Sequence, residues 1–238
     1  MIELSREENI YTLTMTAGEN RWNTTFVRAF ANALDEVEAS SGPCALITRS
    51  DNPKFFSNGL DLDWIGSKDE HPGGDRGVFG EEFMTLMGRI ITLPVPTIAA
   101  INGHAFGAGF MAALCHDVRL MRSDRGFVCA NEMQLGMQIP RPELALFRHK
   151  LPMNTFFQTV QLARRWPGPD ALAAGIVQEI ASDEELLGRA QQTAEQLAPL
   201  GAKRDIYGGQ KELLYGEGAV INQLEGPAHM LKNSADYR

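Results

Sequence analysis

From Ile2 to Thr16 apolar and polar residues alternate around Ile10, Tyr11, Leu13 and Met15, with a polar break at Glu7, Glu8 and Asn9. That pattern predicts a hairpin of two strands. The period then changes: Phe26, Phe30, Ala33, Leu34 and Val37 recur at helical spacing behind Thr24 or Thr25 as the cap, and the SSGP run at 40–43 ends the helix. Cys44 to Thr48 reads as a short buried strand. Phe55 and Phe56 read as a strand end, Gly59 as a turn, and Asp61 as the cap of a short helix. Residues 66–77, GSKDEHPGGDRG, have a loop composition and are long enough to act as a lid. Helical spacing returns at Phe79, Phe83, Leu86, Met87, Ile90 and Ile91.

The stretch from Leu93 to Asp117 organises the rest. Thr97 to Asn102 predicts a strand, Gly103 to Gly109 a glycine-rich turn, and Gly107 or Ala108 the start of a buried helix running through Leu114. The first turn of that helix has free backbone N–H groups, and small residues at 107–109 let a ligand atom approach them. An oxyanion could be held there, as it could by a tight turn that merely needs glycine. Val118 to Met121 and Phe127 to Ala130 predict two further strands, the second leading into NEMQLGMQIP. Helices are expected at Glu143–Lys150, Asn154–Arg165, from Pro169, at Asp183–Leu197 capped by Ser182, and at Asp205–Tyr215, with a short strand within 175–180. Strands alternating with helices imply an α/β fold.

Charge and composition narrow the functional classes. A net charge of −8 over 238 residues argues against nucleic acid or an anionic membrane as partner, and no apolar run reaches a membrane span. The three cysteines, Cys44, Cys115 and Cys129, sit in apolar surroundings without ligand spacing and fit a reducing, cytoplasmic setting. The five histidines form no metal-binding pair, so no metal is expected. His104 is read as a structural hydrogen-bonding residue, His116 as a cap of the central helix, and Glu143 as a surface carboxylate.

FFSNGLDL, IAAINGHAFGAGF and FVCANEMQLGM, in that order, resemble three motifs of the crotonase, or enoyl-CoA hydratase/isomerase, superfamily. The pattern is most similar to the delta-3,delta-2-enoyl-CoA isomerases, and the resemblance covers residues 8–180. It implies a spiral of repeated ββα units over 1–195, a C-terminal helical segment over 196–238 serving oligomerisation, and a homotrimer or dimer of trimers. It also implies that the N–H groups of Leu60 and Ala108 hold an acyl-CoA thioester oxygen. The CoA would run along Arg21, Trp22 and Asn23 and the backbone of Ser57, Asn58, Gly59 and Asp61. Because CoA arrives with the substrate, no separate cofactor is implied.

By the same resemblance, the two glutamates of a hydratase correspond to Met111 and Glu132. Hydration wants a water held between two carboxylates, which Met111 cannot do; isomerisation wants one base that carries a proton from C2 to C4. Composition alone makes Glu132 a solvated turn residue, and the motif reverses that reading. Met111, Met133, Leu135 and Met137 are expected to wall its pocket and raise its pKa. The expected activity is conversion of 3-enoyl-CoA to 2-trans-enoyl-CoA in fatty-acid beta-oxidation. The alternatives are enoyl-CoA hydration by Glu132 alone, acyl-CoA thioester hydrolysis, or a noncatalytic acyl-CoA-binding subunit.

Overall fold

The computed structural model describes residues 1–67, 74–216, 219 and 226–237. The expected hairpin forms: β1 (Ile2–Glu7) pairs antiparallel with β2 (Ile10–Met15), and Tyr11, Leu13 and Met15 point inward at every second position. α1 (Thr24–Ala39) follows. Its cap is Asn23 rather than either threonine, because the Asn23 side chain accepts the Phe26 N–H at 3.0 Å.

Three further units repeat the plan. The second contains β3 (Ala45–Ser50), β4 (Phe55–Ser57), α2 (Leu62–Gly66) and α3 (Phe79–Ile91). In the third, β5 (Thr97–Ile101) and β6 (His104–Phe106) precede α4 (Ala108–Cys115), so the predicted glycine turn holds a short strand of its own. The fourth has β7 (Val118–Arg122), β8 (Val128–Cys129) and a 3-10 turn at Glu132–Leu135. α5 (Arg141–Lys150), α6 (Met153–Val160), α7 (Gly168–Ala173), β9 (Glu179–Ala181) and α8 (Asp183–Leu197) complete the core. α6 stops before the expected Arg165; Ala163 adopts φ 47°, which a helix cannot continue through.

Lead strands join one sheet in the order β1-β2-β3-β5-β7-β9, and second strands form another, β4-β6-β8, parallel throughout. This is the expected spiral of ββα units. It gathers the C-terminal ends of β4, β6 and β8, the positions from which the glycine turns and the Glu132 segment depart. β5, TIAAI, is buried at every residue because both of its faces are covered. α8 lies over one face, packing Leu186, Ala190 and Ala194 on Ala45, Ile47, Ile98 and Leu120.

α9 (Arg204–Tyr215) and α10 (Pro227–Lys232) return onto this chain's own core. α10 lies so close to α3 that a Cβ on Gly88 would stand 3.2 Å from the Ala228 carbonyl oxygen. α9 is anchored electrostatically: buried Lys211 reaches Asp117 at 2.8 Å and donates to the Leu93 carbonyl at 2.9 Å. The same Asp117 oxygen accepts from the Thr97 N–H and the Tyr207 hydroxyl. Asp117→Ala is expected to cost about 3–5 kcal/mol, since it strands a buried ammonium. Urea denaturation of the variant measures this, and an unchanged midpoint would remove the anchor from the account.

Half of the lid expected within 66–77, residues 68–73, lies outside those described. On its described flank Arg76 donates to the Trp64 carbonyl and Thr24 to the Asp75 carbonyl, at 2.9 and 2.6 Å. No helix of the described residues is long and apolar enough to cross a membrane.

Candidate active site

The turn after β4 is held on both sides, which leaves one donor over. Ser57 Oγ donates to the Asn20 carbonyl at 2.7 Å and accepts the Gly59 N–H at 3.3 Å. Gly59 takes φ 80°, a left-handed conformation that suits glycine. The Trp22 N–H bonds the Gly59 carbonyl at 2.9 Å, and the Asp61 N–H bonds the Trp22 carbonyl at 3.0 Å. Between them the Leu60 N–H donates to no other described residue. Asp61 caps α2 as expected, accepting the Trp64 N–H.

The turn after β6 is built the same way. Gly107 takes φ 47°, its N–H bonds the Cys129 carbonyl at 2.9 Å, and its carbonyl accepts the Met111 N–H. Ala108 is the first residue of α4, so its N–H is one of the donors a helix start leaves free, at the positive end of the helix dipole.

Glycines let the two turns touch. A Cβ on Gly59 would lie 2.8 Å from the Phe106 carbonyl oxygen and 3.8 Å from the Ala108 nitrogen. One on Gly109 would lie 2.5 Å from the Ser57 carbonyl oxygen. Glu132 arrives from the third side: its Oε1 stands 2.8 Å from where a Gly107 Cβ would be. Two N–H groups and a carboxylate thus meet around Gly107.

They border a cavity of about 210 Å³ whose walls include Leu62, Phe79, Phe83, Met84, Phe106 and Leu135. A wider groove of about 500 Å³ beside Glu7, Glu8 and Glu195 includes neither glycine turn nor Glu132 in its lining. Phe83 is backed by buried Trp22, with ring centroids 5.3 Å apart. Burial pushes the Glu132 carboxyl above the ordinary carboxylate range, as expected.

The walls differ from expectation. Leu135 and Met137 face the cavity, but Met133 is half-exposed and does not, and Met111 is wholly buried in the core. α3 supplies the missing apolar surface through Phe79, Phe83 and Met84. Nothing in the 79–91 periodicity distinguishes a side chain facing the cavity from one facing the core.

Glu143 is the main correction. It is 6% exposed, lines the cavity with Glu132, and its Oε1, like Glu132 Oε2, has no hydrogen-bond partner among the described residues. Burial first, and the Glu132 charge second, hold its carboxyl well above the usual range. A surface placement overlooked one signal: Glu143, Leu146 and Phe147 follow the i, i+3, i+4 spacing of a buried helix stripe, and all three are buried.

The residues implied for CoA divide into two groups. Asn58, Gly59 and Leu60 line the cavity. Arg21 pairs with Glu19 and Asp63, each at 2.8 Å, while Asn23 reaches across to Asp61. Trp22 and Ser57 have no exposed surface, so their side chains brace the turn rather than face a ligand.

His104 and His116 are structural, as expected. His104 Nδ1 accepts the Phe127 N–H, and its ring stacks on Phe106 and Phe127. His116 donates from Nδ1 to the Ala112 carbonyl and accepts the Thr48 hydroxyl at Nε2. Burial lowers its pKa to about 4, which keeps it neutral. All three cysteines are free and buried. No group of three His, Cys, Asp or Glu side chains among the described residues could hold a metal ion.

Comparison with known proteins follows the same lines. A sequence model of the enoyl-CoA hydratase/isomerase family matches residues 5–205. Enoyl-CoA delta isomerase 2, peroxisomal, of Arabidopsis thaliana is 31% identical over 94% of this chain and 96% of its own. Carnitinyl-CoA dehydratase of Salmonella agona is 34% identical over 80% of this chain and 71% of its own. The crystal structure of human mitochondrial delta3-delta2-enoyl-CoA isomerase superposes with a TM-score of 0.79 over 98% of this chain and 91% of that one, at 20% identity.

Proposed function

Because the chain belongs to the enoyl-CoA hydratase/isomerase family, we propose that it converts 3-enoyl-CoA thioesters to the conjugated 2-trans-enoyl-CoA, with Glu132 as base. The α-proton of a thioester is too weakly acidic for a carboxylate unless the enolate oxygen is stabilised. The Leu60 and Ala108 N–H groups would supply that stabilisation, at a point where the dipole of α4 adds to it. Glu132, its pKa raised by burial, would take the C2 proton and become an acid in the same apolar space.

The observation that carries this reading is the meeting of the Glu132 carboxyl, Gly107 and the Ala108 turn at one apolar cavity. The thioester would enter with its CoA along Arg21–Asn23 and Asn58–Asp61, and a homotrimer is the assembly the family suggests. Fatty-acid beta-oxidation is the setting in which this conjugation step is wanted.

Hydration is the second reading, and Glu143 favours it: the cavity holds two carboxylates even though Met111 replaces one on α4. The experiment that separates the readings presents 3-hexenoyl-CoA and 2-hexenoyl-CoA to the purified protein and follows absorbance of the conjugated thioester. Its appearance from the first, with no loss from the second, is expected. Loss from the second as the main reaction would replace isomerisation by hydration, and acyl-CoA bound without turnover would leave a binding subunit.

A further inference from the structure

Glu143 belongs to α5, outside the Glu132 segment, yet both side chains line one cavity. Glu143 Oε1 and Glu132 Oε2 are both fully enclosed and unpaired among the described residues. A carboxyl in such a place costs stability unless something is gained from it. The lining of the cavity they share includes no Lys, Arg or His among the described residues, so an ionised carboxylate meets no counter-charge there.

Two carboxyls sharing a cavity of about 210 Å³ cannot both ionise cheaply. Burial and the charge on Glu132 keep Glu143 protonated at neutral pH, so a base and an acid coexist in the cavity. Glu132 lies against the Gly107 turn, near the donors for the thioester oxygen; Glu143 lines the cavity from a different helix. An acyl chain extending from that turn would carry C2 past the first and its later carbons towards the second.

We propose that Glu143 is a second catalytic residue, an acid that donates its proton to C4 of the acyl chain while Glu132 removes the proton from C2. The C2–H bond breaks, the double bond moves from C3–C4 to C2–C3, and a new C4–H bond forms. Glu132 ends protonated and Glu143 ionised. The pair resets by passing the proton from Glu132 to Glu143, directly or through solvent, once product has left. This rests on the isomerase reading and replaces its one-residue shuttle by two residues with divided roles.

The test follows the C4 hydrogen. Enzyme equilibrated in heavy water and held in excess over unlabelled 3-hexenoyl-CoA is allowed a single turnover, and the product is examined by mass spectrometry and NMR. About one deuterium at C4 is expected from the wild type, because Glu143 carries a solvent-derived hydron. Glu143→Gln should form product about 10²-fold more slowly, with C4 now carrying mostly the protium taken from C2. Glu143→Asp should recover part of both the rate and the label.

Unlabelled wild-type product overturns the proposal. So does Glu143→Gln product labelled as fully as the wild type, since Glu132 would then be exchanging with solvent by itself. Should the glutamine variant fail to fold, the wild-type label and the aspartate variant still decide. If the wild type hydrates 2-hexenoyl-CoA and never isomerises, the isomerase reading fails first and this division of roles fails with it.

Discussion

Glu132→Gln is expected to lower kcat for 3-hexenoyl-CoA by about 10³-fold, within the range typical of losing a general acid or base. Gln has nearly the volume of Glu but cannot accept the C2 proton. KM should change little, because substrate binding draws on the cavity walls and the N–H donors, which the substitution leaves in place. Glu143 cannot substitute, as it lines the cavity from α5 while Glu132 Oε1 sits against the Gly107 turn. The thermal midpoint should stay level or rise, since burial works against ionising Glu132. The measurement is steady-state kinetics alongside a melting curve. Activity retained within threefold in a folded variant would remove Glu132 from the chemistry.

Gly109→Ala is expected to have the second largest effect, and it tests the backbone donors that no side-chain deletion can remove. An alanine can adopt the helical backbone at this position, so the obstacle is space. Its Cβ would meet the Ser57 carbonyl oxygen at 2.5 Å, Cβ at 2.7 Å and Oγ at 2.8 Å. Ser57 is itself held by Asn20 and by the turn, and has little freedom to retreat. The start of α4 must therefore move away, carrying the Ala108 N–H from the Leu60 N–H.

A cost of about 1–3 kcal/mol in stability follows from overpacking. A loss of about 10²-fold in kcat follows from misplacing one donor. Gly188→Ala is the control: this exposed α8 glycine has nothing within 4 Å of its would-be Cβ. It should leave activity alone and stabilise by about 0.5–1 kcal/mol. Equal activity of the two variants would show that close contact between the glycine turns is not what sets the catalytic geometry.

The amino-acid sequence by itself determined whatever depends on neighbours along the chain. The hairpin, α8 with its Ser182 cap, the Asp61 cap and the glycine turns at 59 and 107 all arise from periodicity and turn chemistry within a few residues. The Glu132 segment was legible through its resemblance to a family motif, although composition alone would have left it in solvent.

Only the tertiary structure decided which face of each helix meets the cavity. Glu143, expected at the surface, lines the cavity, and Met111, expected at its wall, lies in the core for this reason. α5 brings Glu143 to the cavity that Glu132 lines while Leu146 and Phe147 pack in the core, and α4 turns Met111 into the core. Likewise α3 supplies the aromatic wall, and the Trp22 backbone holds the Leu60 turn by bonds to the residues on either side of it. Such placements depend on packing between elements distant in sequence. Helical spacing marks a buried side, but what fills the space opposite it, a neighbouring helix or a substrate cavity, is set by how the ββα units stack.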